Sequence, residues 1–140
     1  MKKILILTLL LSSTYIFSQK IDTGKKHKVI FQMVSPDSLS HTSLMNNLRN
    51  LKEGWPLAQV EVVFYGGGIA MALAAKSKFS KELQDLAENK GVKMVVCENT
   101  MRMRKVTKDQ LLPFIGTVPM GVGEIILKQE KGWSYLKAGL

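Results

Sequence analysis

Residues 60–75 read VEVVFYGGGIAMALAA, and the order of residue types within them points to the class of fold. Val60–Tyr65 is almost continuously apolar and rich in β-branched and aromatic residues, as a strand covered on both faces should be. Gly66, Gly67 and Gly68 end that run. Ile69–Ala75 is then apolar all round, which predicts a helix buried in the domain or in a subunit contact. Strand, glycine turn and helix in that order form the first half of a parallel crossover unit.

The same pattern recurs on either side. Val29–Val34 (VIFQMV) and Val92–Cys97 (VKMVVC) read as two further buried strands. A weaker run surrounds Thr117–Met120, and Trp133–Lys137 is a possible fifth strand near the end of the chain. Between them, Leu44, Met45, Leu48 and Leu51 fall on one helical face, with Asp37 and Ser38 as cap candidates and Gly54 as a stop. Phe79, Leu83, Leu86 and Ala87 make a second face. Thr107 to Gln110 has capping-box spacing ahead of Pro113, and Val122, Ile125 and Ile126 form a last stripe. Strands alternating with helices at this spacing predict right-handed crossovers and one three-layer α/β/α domain around a mainly parallel sheet of about five strands.

The first residues, MKKILILTLLLSSTYIFSQK, have the layout of a secretory signal peptide: Lys2 and Lys3, then the apolar Ile4–Leu11, then a polar stretch. The apolar part is too short to span roughly 30 Å of hydrocarbon. Residues 1–18 are therefore expected to be removed, leaving residues 19–140 as a single exported domain with no stable membrane anchor, periplasmic or secreted. The net charge of +9 favours attraction to anions without specifying nucleic acid. No aromatic-rich RNA motif or zinc-type Cys/His spacing accompanies it, so no nucleic-acid partner is expected.

Exported proteins usually carry cysteines in pairs, yet Cys97 is the single cysteine here. A thiol left over in an oxidising compartment is either buried and inert, joined to another molecule, or reactive. Its place favours chemistry, because sites in open parallel sheets form beyond the carboxyl ends of the strands. Asn99 or Thr100 is expected to cap a helix starting just after it, and helix-start amides lower a thiol pKa. Arg102, with Arg104 and Lys105, adds positive potential, while Glu98 opposes it. Gly66, Gly67 and Gly68 are expected at the same sheet edge, either as a tight turn requiring positive φ or as a lining of the pocket.

Across most of residues 27–137 the sequence resembles the DsrE/DsrF-like family of small α/β proteins of sulfur relay. The resemblance rests on VIFQMVSPDS, NNLRNLKE, VEVVFYGGGIAMAL, GVKMVVCENTMR and VPMGVGEIILKQEKGWSYLK. It implies a flavodoxin- or Rossmann-like winding and a homotrimer or hexamer. It also implies a persulfide carried on Cys97 and exchanged with a partner protein's reactive thiol, which makes a sulfurtransferase activity an open expectation. Tyr65 departs from the pattern, since many relatives have His there. Attack and transfer would both require a thiolate that solvent can reach.

Two other functions compete with that one. The first is a non-catalytic binding or assembly module of the same fold. The second is a thiol redox or Cu(I)-binding protein using Met94, Met101, Met103 and Met120 as soft ligands beside the thiol, though those methionines are also ordinary core or interface filler. His27 and His41 lack metal-ligand spacing. Ser35 and Asp37 are explained by helix capping, and Trp55-Pro56 and Trp133 by packing or subunit contact. No resident metal or cofactor is expected.

Overall fold

The computed structural model describes residues 26–139; the expected signal peptide lies outside the described residues. Five strands, β1 (Lys28–Met33), β2 (Gln59–Phe64), β3 (Val92–Cys97), β4 (Gly116–Val118) and β5 (Ser134–Lys137), form one sheet in the order β4-β3-β2-β1-β5. Every neighbouring pair is parallel. Four α-helices connect them: α1 (Ser38–Gly54), α2 (Ser80–Glu88), α3 (Glu98–Arg104) and α4 (Gly121–Glu130). This is the three-layer α/β architecture that the alternation predicts.

The alternation of side chains along each strand builds two cores of unequal size. Val29, Phe31 and Met33 of β1, Val60, Val62 and Phe64 of β2, and Val92, Met94 and Val96 of β3 point to one face. There they meet Leu44, Met45 and Leu48 of α1, Leu83 and Leu86 of α2, and Met101 of α3. Ile30, Val63, Val95 and Val118 point to the other face, where α4 supplies Ile125 and Tyr65 and Trp133 flank the cluster. One face thus carries three helices and the other only one. Both faces being covered explains why the central strands read as nearly continuous apolar runs.

The capping expectations at α1 are met: Asp37 Oδ2 accepts from the Ser40 amide at 2.9 Å, and that bond holds the Asp37 carboxyl below its ordinary pKa. The Thr107/Gln110 capping box forms as well, around a single 3₁₀ turn, Lys108–Gln110. The stretch after the glycines differs from expectation. It is a 3₁₀ segment, Gly66–Ala72, and Ala74 and Ala75 are exposed. Its apolar residues Ile69, Met71 and Ala72 fill the larger core of this chain, so their hydrophobicity is accounted for without a subunit contact. The α4 stripe also divides: Ile125 is buried, whereas Val122, Ile126 and Leu127 are 49%, 48% and 51% exposed.

Candidate functional site

Cys97 is the last residue of β3 and lies level with Val118 of β4. It is also the N-cap of α3, whose first residue is Glu98. The expected cap is corrected here: Asn99 and Thr100 sit inside the first turn rather than before it, because the strand passes directly into the helix. Cys97 shares the α4 face of the sheet with Val63 and Tyr65. A Cβ placed on Gly121, the first residue of α4, would lie 3.1 Å from Cys97 Cβ, 3.2 Å from Val63 Cγ1 and 3.3 Å from Tyr65 Cδ1. Only a glycine brings the start of α4 this close to the cysteine.

Two helix starts therefore converge on one sulfur. Burial is the largest single influence on the thiol and pushes its pKa up. Hydrogen bonds from the Gly121 amide, the Thr100 amide and hydroxyl, and the Asn99 amide together outweigh it, leaving the thiol below its ordinary value of 9.0. Donors that favour the charged form are the general means by which a shielded thiol becomes a thiolate. The residue is nevertheless only 5% exposed, which corrects the expectation of a thiol open to solvent in the single chain.

Thr100 ties this sulfur to the glycine turn, since its hydroxyl oxygen accepts the Gly66 amide at 3.1 Å. The turn does lie beside Cys97, but its shape answers to its own chain. Gly66 has φ +54°. A Cβ on Gly67 would approach Pro36 Cδ to 2.6 Å, and one on Gly68 would approach the Met33 carbonyl oxygen to 2.2 Å. The Gly68 amide donates to Val34 O at 2.9 Å and Tyr65 O at 3.0 Å. With those donors taken, the turn is a packed corner and not an open anion cradle.

Arg102 is exposed and donates to Asn99 Oδ1. It lines a groove with Glu98, Met101, Lys105 and Thr107 that does not include Cys97. Glu98 accepts from the Thr117 hydroxyl at 2.8 Å, which directs its carboxylate to β4. Three of the four methionines lie away from the thiol: Met94 and Met101 belong to the larger core on the opposite face and Met103 is 85% exposed, while Met120, 53% exposed, is the N-cap of α4 beside Gly121. Among the described residues no group of three or more His, Cys, Asp or Glu side chains is placed to hold a metal ion. His41 Nε2 lies 2.9 Å from Ser35 O, and His27 stacks on Trp55 with ring centroids 4.0 Å apart.

Sequence reasoning missed Gly121 and the polar side chains beyond Tyr65. Gln32 Nε2 donates to the Tyr65 hydroxyl, and the Tyr135 hydroxyl donates to Gln32 Oε1, a chain running across β2, β1 and β5. Burial first, then the nearby Tyr135 and Cys97, raise the Tyr65 pKa against the Gln32 bond, so the phenol stays protonated. Gly121 had one available signal, the Met-Gly-Val-Gly start of a helix with no capping side chain.

Comparison with known proteins agrees with this geometry. The sequence model of the DsrE/DsrF-like family matches residues 27–138. A protein of unknown function from Methanobacterium thermoautotrophicum, MTH1491, superposes with a TM-score of 0.76 at 30% identity, covering 80% of this chain and 99% of that one. The YchN protein of E. coli has the same fold, with a TM-score of 0.63 at 16% identity over 81% of this chain and 99% of its own. No functionally curated protein matches the sequence. The chain belongs to the DsrE/DsrF-like family, a family linked to sulfur relay.

Proposed function

We propose that this protein carries sulfane sulfur as a persulfide on Cys97. The observation behind the reading is the place of Cys97, at the end of β3, as N-cap of α3 and packed against Gly121 at the start of α4, where neighbouring amides favour its thiolate. In the first step the Cys97 thiolate attacks the outer sulfur of a donor persulfide, R–S–SH. The new S–S bond gives Cys97–S–SH, and the donor leaves as R–S⁻. In the second step an acceptor thiolate takes the outer sulfur and Cys97 returns as thiolate. Neither step needs an external oxidant or reductant, because each is an exchange at sulfur. The donors around the thiolate serve both steps, since Cys97 is nucleophile in one and leaving group in the other.

The 5% exposure of Cys97 requires the start of α4 to move, or a partner to draw it aside, before sulfur passes. The exposed apolar residues Val122, Ile126 and Leu127 on the same helix support self-association next to the site. The same reading makes the protein an exported carrier whose donor and acceptor are proteins with reactive thiols.

The test is intact-protein mass spectrometry after exposure to polysulfide or to a small-molecule persulfide. The expected result is a gain of one sulfur atom that is lost on reduction and absent in Cys97→Ala. An unchanged mass under those conditions would overturn the reading.

Burial of Cys97 favours a second reading, an assembly module that retains the fold without the chemistry. Native protein whose thiol resists a small alkylating reagent until denaturant is added would establish that one instead.

A further inference from the structure

Away from Cys97, toward the amino-terminal ends of the strands, a second polar cluster lies inside the fold. Glu61, the third residue of β2, is 0% exposed. Its Oε2 receives Lys128 Nζ at 2.6 Å and Lys93 Nζ at 3.2 Å. Its Oε1 is buried and has no hydrogen-bond partner among the described residues. The groove at this point is lined by Glu61, Lys52, Lys90, Lys93, Lys128 and Trp133 together with the Pro56–Val60 loop. Lys52 Nζ donates to the carbonyls of Pro56 at 2.7 Å and Ala58 at 2.9 Å, which leaves one of its three N–H groups free. Lys128 Nζ lies 4.3 Å from the centre of the Trp133 ring. Glu124 lies 3.6 Å from Lys128 and 3.9 Å from Lys93, and Asp85 lies 3.7 Å from Lys90.

Two features of this groove go beyond what an internal ion pair needs. Its lining gathers four lysines, two of them in ion-pair contact with Glu61, against three nearby carboxylates, Glu61, Glu124 and Asp85. Glu61 also keeps one oxygen without a donor in a place where a bare acceptor is costly. A ligand that completes this groove would bring a hydrogen to Glu61 Oε1 and added negative charge to the surplus of lysines. We propose that the groove binds a protonated tetrahedral oxyanion, inorganic hydrogen phosphate, with its P–OH donating to Glu61 Oε1 and its charged oxygens held by Lys90, Lys93 and Lys52. Lys93, whose side chain is 57% exposed, is the cover that turns aside to admit it. Sulfate has the same shape and charge but no proton to give near neutral pH. It meets the Glu61 carboxylate as an unpaired like charge, and a repulsion of this kind separates close analogues.

The proposal is tested by titrating the whole protein with phosphate and with sulfate at matched ionic strength near neutral pH, following the Trp133 indole and Lys93 amide signals by NMR. Phosphate should shift both signals saturably, with an affinity at least about tenfold above that for sulfate. Glu61→Gln should abolish or invert the preference, because a carboxamide donates to a bare oxyanion. Lys93→Met, at a position 57% exposed that leaves Glu61 paired to Lys128, should weaken phosphate binding. Equal responses to the two salts, no saturable response, a preference unchanged in Glu61→Gln, or undiminished phosphate binding in Lys93→Met would each overturn it, leaving Glu61 as only the anchor of an ion pair.

Discussion

Replacing Thr100 with valine deletes one oxygen and keeps the side chain's shape. That oxygen accepts the Gly66 amide at 3.1 Å, and the hydroxyl is one of the groups that lower the Cys97 pKa. Thr100 is 8% exposed, so water does not readily take over that bond. An amide left without its acceptor in such a place costs about 1–3 kcal/mol. For a domain of this size, 1 kcal/mol corresponds to roughly 4 °C in Tm, so the variant should melt about 4–12 °C below the wild type. At the sulfur the sign is also fixed: removing a donor to the thiolate moves the Cys97 pKa back toward the ordinary thiol value. Urea unfolding measures the first effect, and the pH dependence of iodoacetamide alkylation of the native protein measures the second. Thr100→Ser, which retains the hydroxyl, should restore both. A folded Thr100→Val protein with a wild-type alkylation midpoint would refute the claim that this hydroxyl tunes the thiol. A stability change below about 0.5 kcal/mol would show that the bridge to Gly66 carries no weight, since surface-like substitutions already fall in that range.

Further outcomes follow from the same geometry. Gly68→Ala should cost about 3 kcal/mol or more by chemical denaturation, because its Cβ would stand 2.2 Å from the Met33 carbonyl oxygen and overpacking against backbone cannot relax. Gly91→Ala, with nothing within 4 Å but φ +66°, should cost only about 1 kcal/mol. A folded-state thiol pKa below the unfolded value stabilises the native state at high pH and loses that contribution as pH falls through the folded value. The stability of wild type relative to Cys97→Ser should therefore rise as the pH approaches 9.0, the ordinary thiol value, as read from urea midpoints. Ile126→Glu, at a position 48% exposed, should leave the monomer's Tm within a few degrees of wild type. It should also reduce the mass measured by sedimentation if α4 is the surface through which copies associate, and an unchanged mass assigns association elsewhere.

The fold was legible where burial on both faces made a strand announce itself. β1, β2 and β3 carry apolar side chains on both sides of the sheet, so each reads as a nearly continuous run with one polar residue in it. β5 is exposed along its whole length, and its assignment came from order along the chain more than from hydrophobicity. The segment after Gly68 misled because an apolar run says that residues are buried without saying by how many residues per turn they coil. At the site, the strand end and the following helix start placed Cys97 and its Asn99 and Thr100 neighbours. Gly121 stayed hidden because it reaches the sulfur through tertiary packing alone. Glu61 was invisible for a related reason: within VEVVFY it looks like a lone polar residue, and its partners Lys93 and Lys128 lie on other elements far along the sequence.

The strand order β4-β3-β2-β1-β5 also dictates how the chain can assemble. β1, β2, β3 and β4 pair in sequence, so each new strand closes a modest loop onto the one before. β5 must instead return past the whole sheet to lie against β1, with Val29 level with Ser134. The entropic cost of closing a loop grows with its length, and non-local pairings slow folding, so this strand should dock last. A chain still being synthesised, or one clipped before Ser134, presents β1 as a bare edge of unpaired amides and carbonyls. Such an edge invites pairing with other chains, and docked β5 replaces it with a shorter one of four residues.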